Sequence, residues 1–128
     1  MYNKLVLEHF LNPKNVGQIP DADGVGTIGD PRCGDYLRVY IKVEDDHLKD
    51  IKFELLGCPA AIATSSVLTE MAMGKSLIEA LQITDKDIVK ELGELPNPKI
   101  HCSNLGAEAL HKAIRHYLER LSEKARKS

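Results

Sequence analysis

No run of apolar residues in this chain approaches the length of a membrane span. The N-terminal stretch "MYNKLVLEHFLNPKNVG" also lacks the long apolar core of a secretion signal. An excess of one charge is missing too. The 17 Lys and Arg against 19 Asp and Glu leave a net charge of −2, which gives no general attraction for nucleic acid or an anionic membrane. There is no internal repeat, no linker and no low-complexity tract, apart from the basic tail "EKARKS". Cysteine is scarce, and the 3 thiols cannot all pair within one chain. The expected compartment is the cytoplasm, where thiols stay reduced. Separated cysteines there serve as ligands, nucleophiles or inert core residues. What is present is a soluble, globular balance of 43% hydrophobic and 28% charged residues. The length suits one domain over residues 1–128.

Periodicity gives an α+β order. "NKLVLEHFL" predicts a short helix that stops at Asn12-Pro13. Residues 12–24 read as loop, and "GVGTIGD" as a weak strand broken by glycine. "YLRVYIKVE" is a strong strand, with Leu37, Val39, Ile41 and Val43 on one face and Tyr36, Arg38, Tyr40 and Lys42 on the other. "EDDHLKD" is expected to turn the chain into a third strand, where Ile51, Phe53 and Leu55 alternate with Lys52 and Glu54. The second half is helical. A small-residue helix over 59–73 ends at Gly74. A second helix is capped at Ser76 with Glu79 three residues on. A third is capped at Thr84 or Asp85 and ends at Gly93. A long helix from about Ser103 to Ala125 carries the stripe Leu105, Ala109, Ala113, Ile114, Tyr117, Leu118 and Leu121. The fold expected is a three-stranded antiparallel sheet with one face covered by helices.

The thiols all fall at element ends. Cys33 lies in the turn "GDPRCGDY", Cys58 at the joint of a strand and a helix, and Cys102 just before the long helix. Pro59 suits the first helical position after Cys58. Helix starts lower a thiol's pKa and favour negative charge. Three such thiolates, with Asp35 two residues after Cys33 and His101 beside Cys102, suit a soft, cationic metal centre. Each residue also has a plain structural use. A lone cysteine can fill a core, Asp35 can open a strand, and His101 can face solvent. Ala60, Ala61, Ala63, Ser65 and Ser66 can simply permit close packing. His9, His47, His111 and His116 read as surface groups. Gly24, Gly26 and Gly29 form no phosphate loop, since no lysine or helix follows in place. The spacings match no short zinc pattern. The residues alone therefore point to a cytosolic domain with a Cys₃ plus Asp/His metal or sulfur site.

The segments "HFLNPKNVG", "GDPRCGD", "FELLGCPAAIATSS", "GKSLIEAL" and "KIHCS" occur in the order found in one family. Along nearly its whole length the chain resembles an IscU/NifU-type iron–sulfur cluster assembly scaffold. The resemblance implies that Cys33, Cys58 and Cys102 bind the cluster, joined by Asp35 and His101, with Lys99 as an accessory residue. It implies 2Fe–2S clusters built from iron; the Cys₃ plus Asp/His set itself suits tetrahedral zinc in the cluster-free protein. The implied partners are a cysteine desulfurase, a ferredoxin-type electron donor and acceptor apoproteins. A homo-oligomer is compatible with it; nucleic acid and membrane are not expected. Such a protein is a carrier and not itself an enzyme. The segment "LPNPK" departs from the Leu-Pro-Pro-Val-Lys read by a dedicated Hsp70, which speaks against chaperone-assisted release. The rival readings are a zinc-dependent sulfur acceptor for a desulfurase and an electron carrier. Cys102, on a proline-rich approach beside Lys99 and His101, is the thiol expected to receive sulfur first.

Overall fold

The computed structural model describes residues 4–30, 35–57, 59–93 and 101–127. Its elements are α1 (Lys4–Leu11), β1 (Gly24–Asp30), β2 (Asp35–Glu44), β3 (His47–Leu56), α2 (Pro59–Ala72), α3 (Leu77–Leu81), α4 (Asp85–Leu92) and α5 (His101–Lys127). The strands form one antiparallel sheet in the order β1-β2-β3. Register pairs Val39 with Phe53 and Ile41 with Ile51, so the apolar positions of both strands share the face that the helices cover. Those side chains are buried together with Leu68, Ile88, Leu110 and Ile114 from the helices. No helix among the described residues is long and apolar enough to cross a membrane.

α2 is the centre of the helical layer. It packs against α1, β3, α4 and α5, and Ala61, Ala63, Ser65, Ser66, Val67, Leu68 and Ala72 are all buried. A helix enclosed on most sides needs small residues where neighbouring backbones approach. Two of the hydroxyls inside it are satisfied locally. Thr64 donates to the Ala61 carbonyl at 3.0 Å and Thr69 to the Ser66 carbonyl at 2.6 Å.

The structure corrects four sequence expectations. The turn before β3 is only Asp45-Asp46, with φ of 53° and 59°. Two consecutive positive φ angles make a tight hairpin of the primed type, and Leu48, taken as turn, is a buried strand residue. β1 is a full strand despite its glycines. A Cβ on Gly24 would lie 2.2 Å from the Ala113 carbonyl oxygen, and one on Gly26 2.2 Å from that of Ala109. The glycines are there because the backbone of α5 lies directly on the strand. α5 starts at His101 and not near Ser103. Nothing in His101 or Cys102 prevents helix, so the first turn begins two residues earlier. Finally, His9 is buried, and His111 and His116 are half-buried; only His47 is the exposed group expected. Polar sequence neighbours did not reveal partners that are distant along the chain.

Candidate functional site

The antiparallel register gathers several element ends. Asp30 pairs with Asp35 and Tyr36 with Leu56. The end of β1, the start of β2 and the end of β3 therefore lie at one end of the sheet. α2 begins at Pro59, three residues after Leu56. α5 runs antiparallel to β1, since Gly24 faces Ala113 and Gly26 faces Ala109. From Gly26 to Asp30 the strand advances about 13 Å. The matching length of helix is about nine residues back from Ala109, which brings the first turn of α5 level with the end of β1.

Of the predicted site residues, Asp35 opens β2, and His101 and Cys102 open α5. The backbones of these three thus come to the same end of the molecule. Cys33, Cys58 and Lys99 lie outside the described residues. Among the described residues no three His, Cys, Asp or Glu side chains are grouped so as to hold a metal ion. Leu56 and Gly57 are exposed at this end.

The outer sheet face beside this end carries a polar network. The Tyr40 hydroxyl donates to Glu54 Oε1, and Gln18 Nε2 donates to Glu54 Oε2 at 2.7 Å. Arg38 Nε donates to Thr27 Oγ1 at 3.1 Å, and its guanidinium carbon lies 5.6 Å from the Tyr36 ring centroid. The Tyr40 and Gln18 hydrogen bonds hold Glu54 below the usual carboxylate range. Burial, then the Glu54 carboxylate, pushes Tyr40 upward. The network clamps all three strands across the face that the helices leave uncovered.

Sequence reasoning missed what "HFLNPKNVG" does. His9 Nδ1 lies 2.7 Å from Ser66 Oγ, and the Lys14 N–H donates to the same oxygen at 2.8 Å. Asn15, at φ 61°, donates from Nδ2 to Thr69 Oγ1 at 2.9 Å. Its carbonyl accepts the Phe53 N–H at 3.0 Å, while the Gly17 N–H donates to the Phe53 carbonyl at 2.9 Å. The motif therefore ties α1 to α2 and closes the free edge of β3. The Asn-Pro and Asn-x-Gly pairs signalled a turn, but not its partners.

Two of the quoted segments, "HFLNPKNVG" and the end of "FELLGCPAAIATSS", are thus one interlocked unit. Residues 1–124 match the family of the NifU-like N terminal domain. The chain belongs to that family. It is 57% identical over 120 residues to iron-sulfur cluster assembly scaffold protein IscU 1 of Archaeoglobus fulgidus, covering 94% of this chain and 78% of that one. It is 56% identical over 119 residues to the IscU scaffold protein of Aquifex aeolicus, covering 91% and 76%. Among solved structures, the N-terminal NifU-like protein of Brucella abortus superposes with a TM-score of 0.72 at 25% identity, covering 92% of this chain and 94% of that one. The fold is therefore that of the NifU-like family, with its three-stranded sheet and long C-terminal helix.

Proposed function

We propose that this chain is a scaffold on which 2Fe–2S clusters are assembled and from which they pass to acceptor apoproteins. The observation that carries this reading is the 56–57% identity, across at least 91% of the chain, to proteins named as iron–sulfur cluster assembly scaffolds. The convergence of the backbones of Asp35, His101 and Cys102 at one end of the sheet supports it. Cys33, Cys58 and Cys102 are the proposed thiolate ligands, with Asp35 or His101 completing the set and Lys99 accessory. Three soft thiolates and one harder donor hold a cluster less firmly than four thiolates do. That suits a cargo meant to leave. The same donors suit tetrahedral zinc while the cargo is absent. Sulfur would come from a cysteine desulfurase and electrons from a ferredoxin-type donor. The scaffold supplies ligands and position, and no bond-breaking catalysis of its own. Transfer proceeds without a dedicated Hsp70, given "LPNPK" at residues 95–99.

Anaerobic reconstitution with iron, cysteine and a desulfurase tests the reading. The expected result is a visible-absorbing 2Fe–2S species that activates an apo-ferredoxin. A colourless, zinc-only protein that still accepts sulfur would overturn it in favour of a zinc-dependent sulfur acceptor. Reversible redox cycling with no loss of cluster to the apo-ferredoxin would instead indicate an electron carrier.

A further inference from the structure

α5 is longer than the body it packs on. Its 27 residues span about 40 Å, while β1 beneath it has only 7 residues. The last fully buried side chain on the helix is Ile114, and Tyr117 is half-buried. From Leu118 to Ala125 every residue is exposed. Arg120 ties this stretch to the body, its Nη1 donating to the carbonyls of Ala22 and Asp23, each at 3.1 Å.

The overhang is amphipathic. Leu118, Leu121 and Ala125 fall within about 60° of one another at 100° per residue, and the two leucines are 42% and 43% exposed. Lys124, with Arg120 beyond it, lies on one side of this seam, and Arg115 lies on the other. Glu119 sits behind Arg115, and Glu123 is on the opposite side of the helix. Arg115 to Lys127 holds 5 basic and 2 acidic residues, a local excess of positive charge in a chain of net −2.

We propose that the C-terminal half of α5 is a docking site for an amphipathic helix of a partner protein, with an apolar seam flanked by Glu or Asp. The apolar spacing fits helix-against-helix packing, and the basic flanks select acidic ones. A second copy of this chain is disfavoured, since two such seams would bring like charges together. A membrane surface is also disfavoured, since two leucines and an alanine offer little apolar area to the lipid boundary. Leu118 lies 16 residues from Cys102, about 24 Å along the helix axis. A partner held here leaves the opposite end of α5 uncovered.

The test uses the full chain and two fluorescein-labelled helical peptides of about three heptads with leucine seams, one flanked by Glu and one by Lys. Fluorescence anisotropy should show the Glu peptide binding at least about tenfold more tightly. Leu118→Ser with Leu121→Ser should weaken it by about tenfold or more, with the circular dichroism and melting curve unchanged. Arg115→Glu with Lys124→Glu should reverse the preference between the peptides. Equal binding of both peptides, binding of neither, or binding unaffected by either pair of substitutions would overturn the proposal. So would binding to phosphatidylserine vesicles with no response to the Glu peptide.

Discussion

Single residues decide how closely the elements approach. Gly26 is the sharpest case, because the atom that an added Cβ would meet at 2.2 Å is a helix carbonyl and not a flexible side-chain tip. Gly26→Ala should therefore cost about 2–3 kcal/mol, read as a lower midpoint in urea denaturation. Gly74→Ala is a different test, with open space around the site but a φ of 81°, so its penalty is one of backbone conformation alone. Ser66 is a second decisive residue, fully buried and joined to both His9 and the Lys14 N–H. Ser66→Ala takes this partner from the buried His9 ring nitrogen and from the part-buried Lys14 N–H and should destabilise by about 1–3 kcal/mol. Adding His9→Phe removes one of the orphans. The double variant should then lose less than the sum of the single variants, and strict additivity would count against a shared bond.

At the scale of elements, some of the molecule was legible and some was not. The alternation of Leu37, Val39 and Ile41 declared β2, and the capping box at Ser76 marked the start of α3, while for α4 the choice between Thr84 and Asp85 falls to Thr84, whose hydroxyl accepts the Asp87 N–H. These signals are local: a period of two, or a hydroxyl three residues before a carboxyl. His9 and Ser66 are 57 positions apart, and no local pattern shows that they meet. Glycine in β1 looked like weakness because the helix that requires it lies more than 80 residues downstream. At the candidate site, the sequence proposes five donors, and the convergence of the elements that carry three of them, Asp35, His101 and Cys102, needed the register of β1 on α5. The start of α5 at His101 changes the argument for Cys102. It lies in the first helical turn, among N–H groups that have no partner within the helix, and these favour a thiolate. Cys102 should therefore be the first to carry persulfide when the protein meets a charged desulfurase. Mass spectrometry on the three single Cys→Ser variants checks this. Unchanged persulfide on Cys102→Ser, with loss on Cys33→Ser or Cys58→Ser, would show that another thiol receives it.

At the scale of the whole molecule, the sheet has one face under helices and one face under a polar clamp centred on Glu54. The Tyr40 and Gln18 hydrogen bonds depress the Glu54 carboxyl below its ordinary value of 4.5. A depressed folded-state pKa means that the unfolded chain binds the proton more readily. The stabilisation is thus complete above the unfolded value and is lost as pH falls from 4.5 through the folded value. Glu54→Gln should flatten the acid limb of the stability curve in that window while leaving the curve near neutrality parallel to wild type. Thermal melts at a series of pH values would show it, and an unchanged acid limb would mean that the clamp contributes nothing. Glu54 is partly exposed, with a side chain 25% accessible, so solvent screening keeps the effect modest.

The glycine strand has a consequence for cooperativity. β1 presents Gly24 and Gly26 where other strands present leucine or valine, so it adds little apolar burial of its own. Its attachment on that side is the backbone of α5, and its outer edge is capped by the same helix, where the Val25 N–H donates to His116 Nδ1 at 3.0 Å. Strand and helix are therefore expected to open together. Cys33 follows β1 by three residues and Cys102 lies in the first turn of α5. If both hold the cargo, a single opening event loosens both thiolates at once, and release is a concerted step and not a sequence of separate ligand losses.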